Sequence, residues 1–177
     1  RFKNDPKIQK GELSEKYLGF SIYYPKDWKE TKAANKFLDI ARRAPDGIPI
    51  KQILISRYDS RGTFEADRAI FPELVKNSNA DLRNILSNYQ VISEGETRFQ
   101  DNRWRVWEVK FQGVGTDKKL LIWGKRVWIP VQRPGMTSGF IITLFGTSIS
   151  DDIKNIDDLE TDKEIAEILK TFEPEIK

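Results

Sequence analysis

An α+β fold built on a central antiparallel sheet is predicted by three observations. Between Asn102 and Phe145 lie three long segments rich in β-branched and aromatic residues, 103–111, 120–131 and 139–145, separated by turn residues at Gly113/Gly115 and Pro134-Gly135. From Thr63 to Ser87 the apolar residues recur at helical spacing instead. Near the C-terminus, Ile165, Ile168, Leu169 and Phe172 fall at i, i+3, i+4 and i+7, a single apolar stripe that packs a helix on a sheet.

A chain of 177 residues is long enough for one well-buried core. Residues 1–14 have no periodicity and mixed charge, so the expected organisation is a flexible N-terminal tether over 1–14 and a single domain over 15–177. Tyr17 to Trp28 reads as a strand with Phe20, Ile22 and Tyr24 on one side, stopped by Pro25, with Trp28 closing one end of the core. Phe37–Ala41 and Ile50–Tyr58 read as two strands joined through the turn residues 42–47, hence a hairpin.

The helical stretch is expected as two short helices, with Pro72 near the start of the first and Asn79 capping the second. Val91–Phe99 returns to strand character and leads into a meander through the three central segments. Two registers are open for its middle hairpin, Trp107 opposite Lys125 or Trp107 opposite Gly124. Under either, both faces carry large apolar groups, so helices or loops are expected over each face. Thr161-Asp162-Lys163-Glu164 has the spacing of a capping box for the last helix, and Pro174 ends that helix.

Histidine and cysteine are both absent, which excludes thiol nucleophiles, disulfides, the usual zinc sites and every dyad or triad with an imidazole base. Paired carboxylates such as Glu94/Glu96 occur on strands by chance, and no Gly-rich phosphate loop or serine elbow is present, so no enzyme, catalytic residue or cofactor is assigned. The acidic run Asp151, Asp152, Asp157, Asp158, Glu160 and Asp162 lacks a central glycine and the spacing of a calcium loop. It reads as a solvated, helix-capping segment, and no metal is assigned.

Net charge is +3 but uneven. Residues 151–177 carry ten acids and four bases, net −6, which leaves 26 bases and 17 acids, net +9, for residues 1–150. Arg103, Arg105, Lys125, Arg126 and Arg133 surround the hairpin tryptophans, Trp128 among them. Such interleaving either shields a sheet rim or forms a partner-binding face, so these six residues are the candidate site. The small net charge and the absence of a nucleic-acid motif argue against nucleic acid.

The stretch Gly19-Phe20-Ser21-Ile22-Tyr23-Tyr24-Pro25-Lys26-Asp27-Trp28 resembles the entry motif of PsbP-like proteins, and Glu164–Phe172 resembles their last helix. The element order matches the PsbP/Mog layout over most of residues 17–173. That resemblance implies an α/β/α sandwich around the central antiparallel sheet. It also implies a non-catalytic binding or assembly module, an exported bacterial lipoprotein or other envelope protein that touches the membrane only through an N-terminal lipid anchor. The implied partner is another protein; the alternative is that the chain carries or senses a small hydrophobic or anionic ligand. The metal-site histidines of plant members have no counterpart, because this chain has no histidine.

Overall fold

The structure, a computed structural model, describes residues 1–116 and 119–175. In chain order the elements are β1 (Phe2–Lys3), α1 (Glu12–Glu15), β2 (Phe20–Ile22), β3 (Trp28–Glu30), β4 (Leu38–Arg43), β5 (Pro49–Asp59), α2 (Phe64–Asp67) and α3 (Phe71–Ile85). Then come β6 (Leu86–Phe99), β7 (Trp104–Gly115), β8 (Leu121–Ile129), β9 (Ser138–Thr147), α4 (Ile156–Glu160), α5 (Lys163–Lys170) and β10 (Glu173–Pro174).

Seven strands form one antiparallel sheet in the order β3-β4-β5-β9-β8-β7-β6, so the expected meander β6 to β9 makes up one half of it. The pairing of β5 with β9, Ile53 opposite Leu144, joins that half to the β4–β5 hairpin. Period-two alternation then sorts the side chains. One face presents Ile53, Ile55, Val106, Val127, Ile129, Phe140 and Ile142, and is covered by α5 and the small sheet β1-β2-β10 through Ile165, Ile168, Phe172, Phe20 and Phe2. The other presents Tyr58, Val109, Phe111 and Trp128, and is covered by α2 and α3 through Phe64, Phe71, Val75 and Leu82. Both faces are covered, so the expected three-layer α+β architecture is the observed one.

The differences from the sequence reading have local physical causes. Residues 1–14, expected as a tether, are docked: Phe2 lies opposite Ile22, Asn4 is fully buried, and its side chain donates to Leu18 O at 2.8 Å. Aperiodicity here reflects a strand of two residues, too short for any pattern to show. At the other end the expected domain boundary, Lys177, lies outside the described residues. The strand at Tyr17–Trp28 is two strands in two sheets, since Pro25 interrupts the pairing and Trp28 begins the edge strand β3.

The two helices are the single turn α2 and the fifteen-residue α3. Thr63 caps α2 by accepting from Ala66 N–H, and Pro72 sits in the first turn of α3, where its missing N–H costs nothing. Asn79 is no cap. It is buried mid-helix and its side-chain oxygen accepts from Tyr89 Oη at 2.7 Å, so a tertiary partner satisfies the amide.

The middle hairpin takes neither expected register. Trp107 lies opposite Trp128, fixed by Gly115 N–H donating to Leu120 O at 2.8 Å. The faces agree with the Gly124 alternative in parity, because the pairing is displaced by four residues. At the last helix the cap is Asp162, which accepts from Ile165 N–H, rather than Thr161, whose hydroxyl donates to Asp157 O and closes α4. Glu164 does not return to the backbone; Trp28, Arg42 and Lys51 all donate to it. Pro174 follows the helix but lies in β10, paired with Phe20.

Candidate functional site

The six residues of the basic, tryptophan-rich hairpin do not form one face. Arg103 extends from the start of β7 to Glu173 in a bidentate pair at 2.8 and 2.8 Å, with its guanidinium over the Trp104 ring. Arg105 is clamped by Glu65 and Glu96 and lies over Phe64, and its hydrogen bond holds the Glu96 carboxyl below its ordinary range. Lys125 projects to the opposite face, where it pairs with Glu108 at 2.7 Å and Glu160 at 3.2 Å. Lys110 joins the same cluster at 2.7 Å from Glu160. Trp128 is buried among the core residues under α3. Arg133 is exposed in the connection between β8 and β9, where its backbone N–H donates to Gly62 O.

Charge neutralisation therefore dominates the hairpin. Arg103, Arg105 and Lys125 each have carboxylate partners within the chain, and such pairs tie secondary elements together while leaving little field for an outside anion. The alternation of the strands explains the dispersal, because Lys125 and Arg126 are neighbours in sequence and must point to opposite faces.

Arg133 and Arg126 have no carboxylate partner among the described residues, and the partly buried Arg126 marks a different site. It lies on the face covered by α3, where its Nε donates to Thr143 Oγ1 at 2.8 Å and its Nη1 to Ser78 Oγ at 2.6 Å. Burial holds its ionisation below the ordinary arginine range, and no carboxylate forms an ion pair with it among the described residues. Beside it opens a cleft of about 420 Å³ between the C-terminal end of α3 and strands β5, β8 and β9, walled mainly by Leu54, Leu82, Ile85, Ile122 and Phe145.

Lys36, from the loop between β3 and β4, forms the rim of this cleft. Burial lowers its ammonium from the ordinary value of 10.5, and the nearby charge of Arg126 lowers it further; Asp39 and Asp81 act in the opposite direction without pairing with it. Asp39 is held by Gln52, whose side-chain amide donates to it at 2.8 Å. Lys51 also borders the cleft, but its ammonium crosses to the other face and is bound by Asp162 at 2.5 Å and Glu164 at 3.2 Å. No acidic side chain lines the cleft among the described residues.

In size and lining this is the profile of a small-molecule site: concave, mostly apolar, with a few polar groups converging on it. None of the hairpin residues Trp104, Trp107, Trp123 and Trp128 walls it; Trp107 stacks on Phe71 at 5.4 Å instead. Sequence reasoning missed Lys36, which lies in a loop with no periodic signal. Ile85, on the apolar stripe of the helical stretch, is more than half exposed at the edge of the cleft, an exposure that the stripe itself does not reveal.

No family model matches the chain, and no curated protein matches it. Among solved structures, the fold is similar to that of LpqN, described as involved in cell envelope biogenesis of Mycobacterium tuberculosis, with a TM-score of 0.51 and 15% identity over 89% of this chain and 84% of that one. It is also similar to the PsbP of the cyanobacterium Synechocystis sp. PCC 6803, with a TM-score of 0.50 and 11% identity over 95% of this chain and 98% of that one. With the seven-stranded antiparallel sheet covered on both faces, these likenesses show that the chain has a PsbP-like fold.

Proposed function

We propose that this chain is a non-catalytic binding module of the bacterial cell envelope that carries or senses a small hydrophobic or anionic ligand in the cleft beneath α3. The observation that carries the reading is the cleft itself, open and apolar at the end of α3. The likeness to LpqN supports an envelope setting, since that protein is described by its part in envelope biogenesis. The test is native mass spectrometry of the protein purified from cells without detergent. A retained small molecule is expected, absent from an Ile85→Trp variant that fills the mouth of the cleft from an exposed position. Retention by both forms, or by neither, overturns the reading.

A second reading, docking of another protein, is favoured by one observation. Strand β6 is an edge of fourteen residues with Val91 and Ile92 exposed, which offers unpaired backbone to a partner strand. Register shifts between Ser87 and Gln90 and between Val91 and Ser93 interrupt that edge, a device that discourages unselective pairing. Capture of one specific partner that is lost on Val91→Lys, Ile92→Lys substitution is the outcome this reading requires.

A further inference from the structure

We propose that the α3 cleft takes a long-chain carboxylate, with its acyl chain against Leu54, Leu82, Ile122 and Phe145 and its carboxylate between Lys36 and Arg126. This assignment rests on the binding-module reading and deepens it by naming the ligand class.

Three features of the site require both ends of such a molecule. The walls are apolar, so the body of the ligand is a hydrocarbon that gains by leaving water. Ile85, more than half exposed at the mouth, extends the apolar track outward. Three cations border this apolar space, and the Lys51 ammonium is bound by Asp162 and Glu164. Lys36 and Arg126 form a positive end with no acidic side chain in the lining among the described residues, Asp39 and Asp81 acting on Lys36 only from outside it.

Those two cations also have donors to spare. Arg126 uses two of its N–H groups, toward Thr143 and Ser78, and the contacts that hold the guanidinium in place leave others unengaged. Lys36 makes no hydrogen bond or ion pair among the described residues. An anion placed between them relieves the mutual repulsion and gains charge-assisted hydrogen bonds in a poorly hydrated site, where such bonds are strongest. A planar carboxylate suits the Nη2 end of a guanidinium whose Nε and Nη1 are already held by Thr143 and Ser78. Neutral chains of the same length gain only the apolar part.

The experiment is calorimetric titration of the protein with dodecanoate and, separately, with dodecanol, each below its aggregation threshold. Repeating both titrations with Lys36→Met removes one cation from a loop position that bears no structural hydrogen bond. Dodecanoate is expected to bind wild type roughly tenfold or more tightly than dodecanol, the gap one charge-assisted contact supplies, and Lys36→Met is expected to close most of it. Equal binding of acid and alcohol overturns the carboxylate assignment while leaving the cleft as a binding site. Binding of neither chain by a protein that still retains a cleft-bound molecule in native mass spectrometry overturns the ligand class alone. Absence of both overturns the assignment and the module reading together.

Discussion

The ring of Phe111 lies over Gly124, its direct partner across β7 and β8, and a Cβ placed at position 124 would come within 2.2 Å of that ring. Tyr58 and Gly139 repeat the relationship between β5 and β9, at 2.4 Å. On the α3 face, then, two large aromatic rings are accommodated by the absence of a side chain opposite them. The Gly124→Ala substitution is expected to destabilise the protein by about 1–3 kcal/mol through overpacking. A urea midpoint identical to wild type would show that the ring is free to move aside.

Lys51 crosses from β5 to the start of α5, where it meets Asp162 and Glu164, and both Lys51 and Asp162 are buried. Removing the cation alone strands two carboxylates, one of them also the cap of α5. Lys51→Met is expected to cost about 3–5 kcal/mol, the range for breaking one side of a buried pair. Replacing all three by apolar residues of similar size is expected to cost less than the single change, a comparison that equilibrium denaturation makes directly.

Acid should loosen the α4–α5 segment first. Burial by itself would raise the Glu164 and Glu160 carboxyls, but hydrogen bonds from Trp28, Lys51 and Arg42 to the first, and from Lys110 and Lys125 to the second, hold both below their ordinary 4.5. A carboxyl whose ionisation is depressed in the folded state contributes stability that is complete above its unfolded value and lost as pH falls through the folded one. The denaturation midpoint is therefore expected to be flat well above the ordinary carboxyl value of 4.5 and to fall as pH drops below it. Glu160→Gln with Glu164→Gln should flatten that fall; an unchanged acid limb would mean that other carboxylates govern it.

Tyr58 is sealed against Asp67, whose carboxylate accepts from Tyr58 Oη at 2.6 Å, from Ser60 Oγ at 2.7 Å and from Arg61 N–H at 2.6 Å. Burial and the Asp67 carboxylate both push the Tyr58 phenol up, far above its ordinary 10.0. Alkaline titration followed by tyrosinate absorbance should show one phenol that ionises only together with the loss of far-ultraviolet dichroism. Its absence from the Tyr58→Phe titration identifies the residue; early ionisation in the folded protein would contradict the sealed geometry.

Deleting residues 1–9 tests the docked N-terminus. The truncation removes Phe2 from the small sheet and Asn4 from its bonds to Leu18 and Phe20, and leaves the Tyr17 hydroxyl without the Asn4 carbonyl that accepts its proton. Loss of a buried phenylalanine side chain alone is expected to cost about 3–5 kcal/mol. A truncated protein as stable as the full chain would restore the tether expected from sequence.

The sequence by itself determined the repeating parts of this protein. Segments 103–111, 120–131 and 139–145 carry β-branched and aromatic residues toward both sides, as strands covered on both faces do, and the apolar stripes of α3 and α5 recur with period 3.6, because one-sided burial of a helix writes its period directly into the chain. Tertiary structure alone decided what depends on pairing between distant segments: the Trp107–Trp128 register, the amide of Asn79 satisfied by Tyr89 instead of capping a helix, and the docking of Phe2 beside Ile22. It also decided the sites. Arg103, Arg105 and Lys125 look like a free basic patch until Glu173, Glu96 and Glu160 arrive from other elements to neutralise them. Lys36 and Arg126 meet only when the loop before β4 and strand β8 come together across the end of α3. Periodicity is a local property of a chain in contact with one surface, whereas charge balance at a point in space is a sum over residues that only the fold brings together.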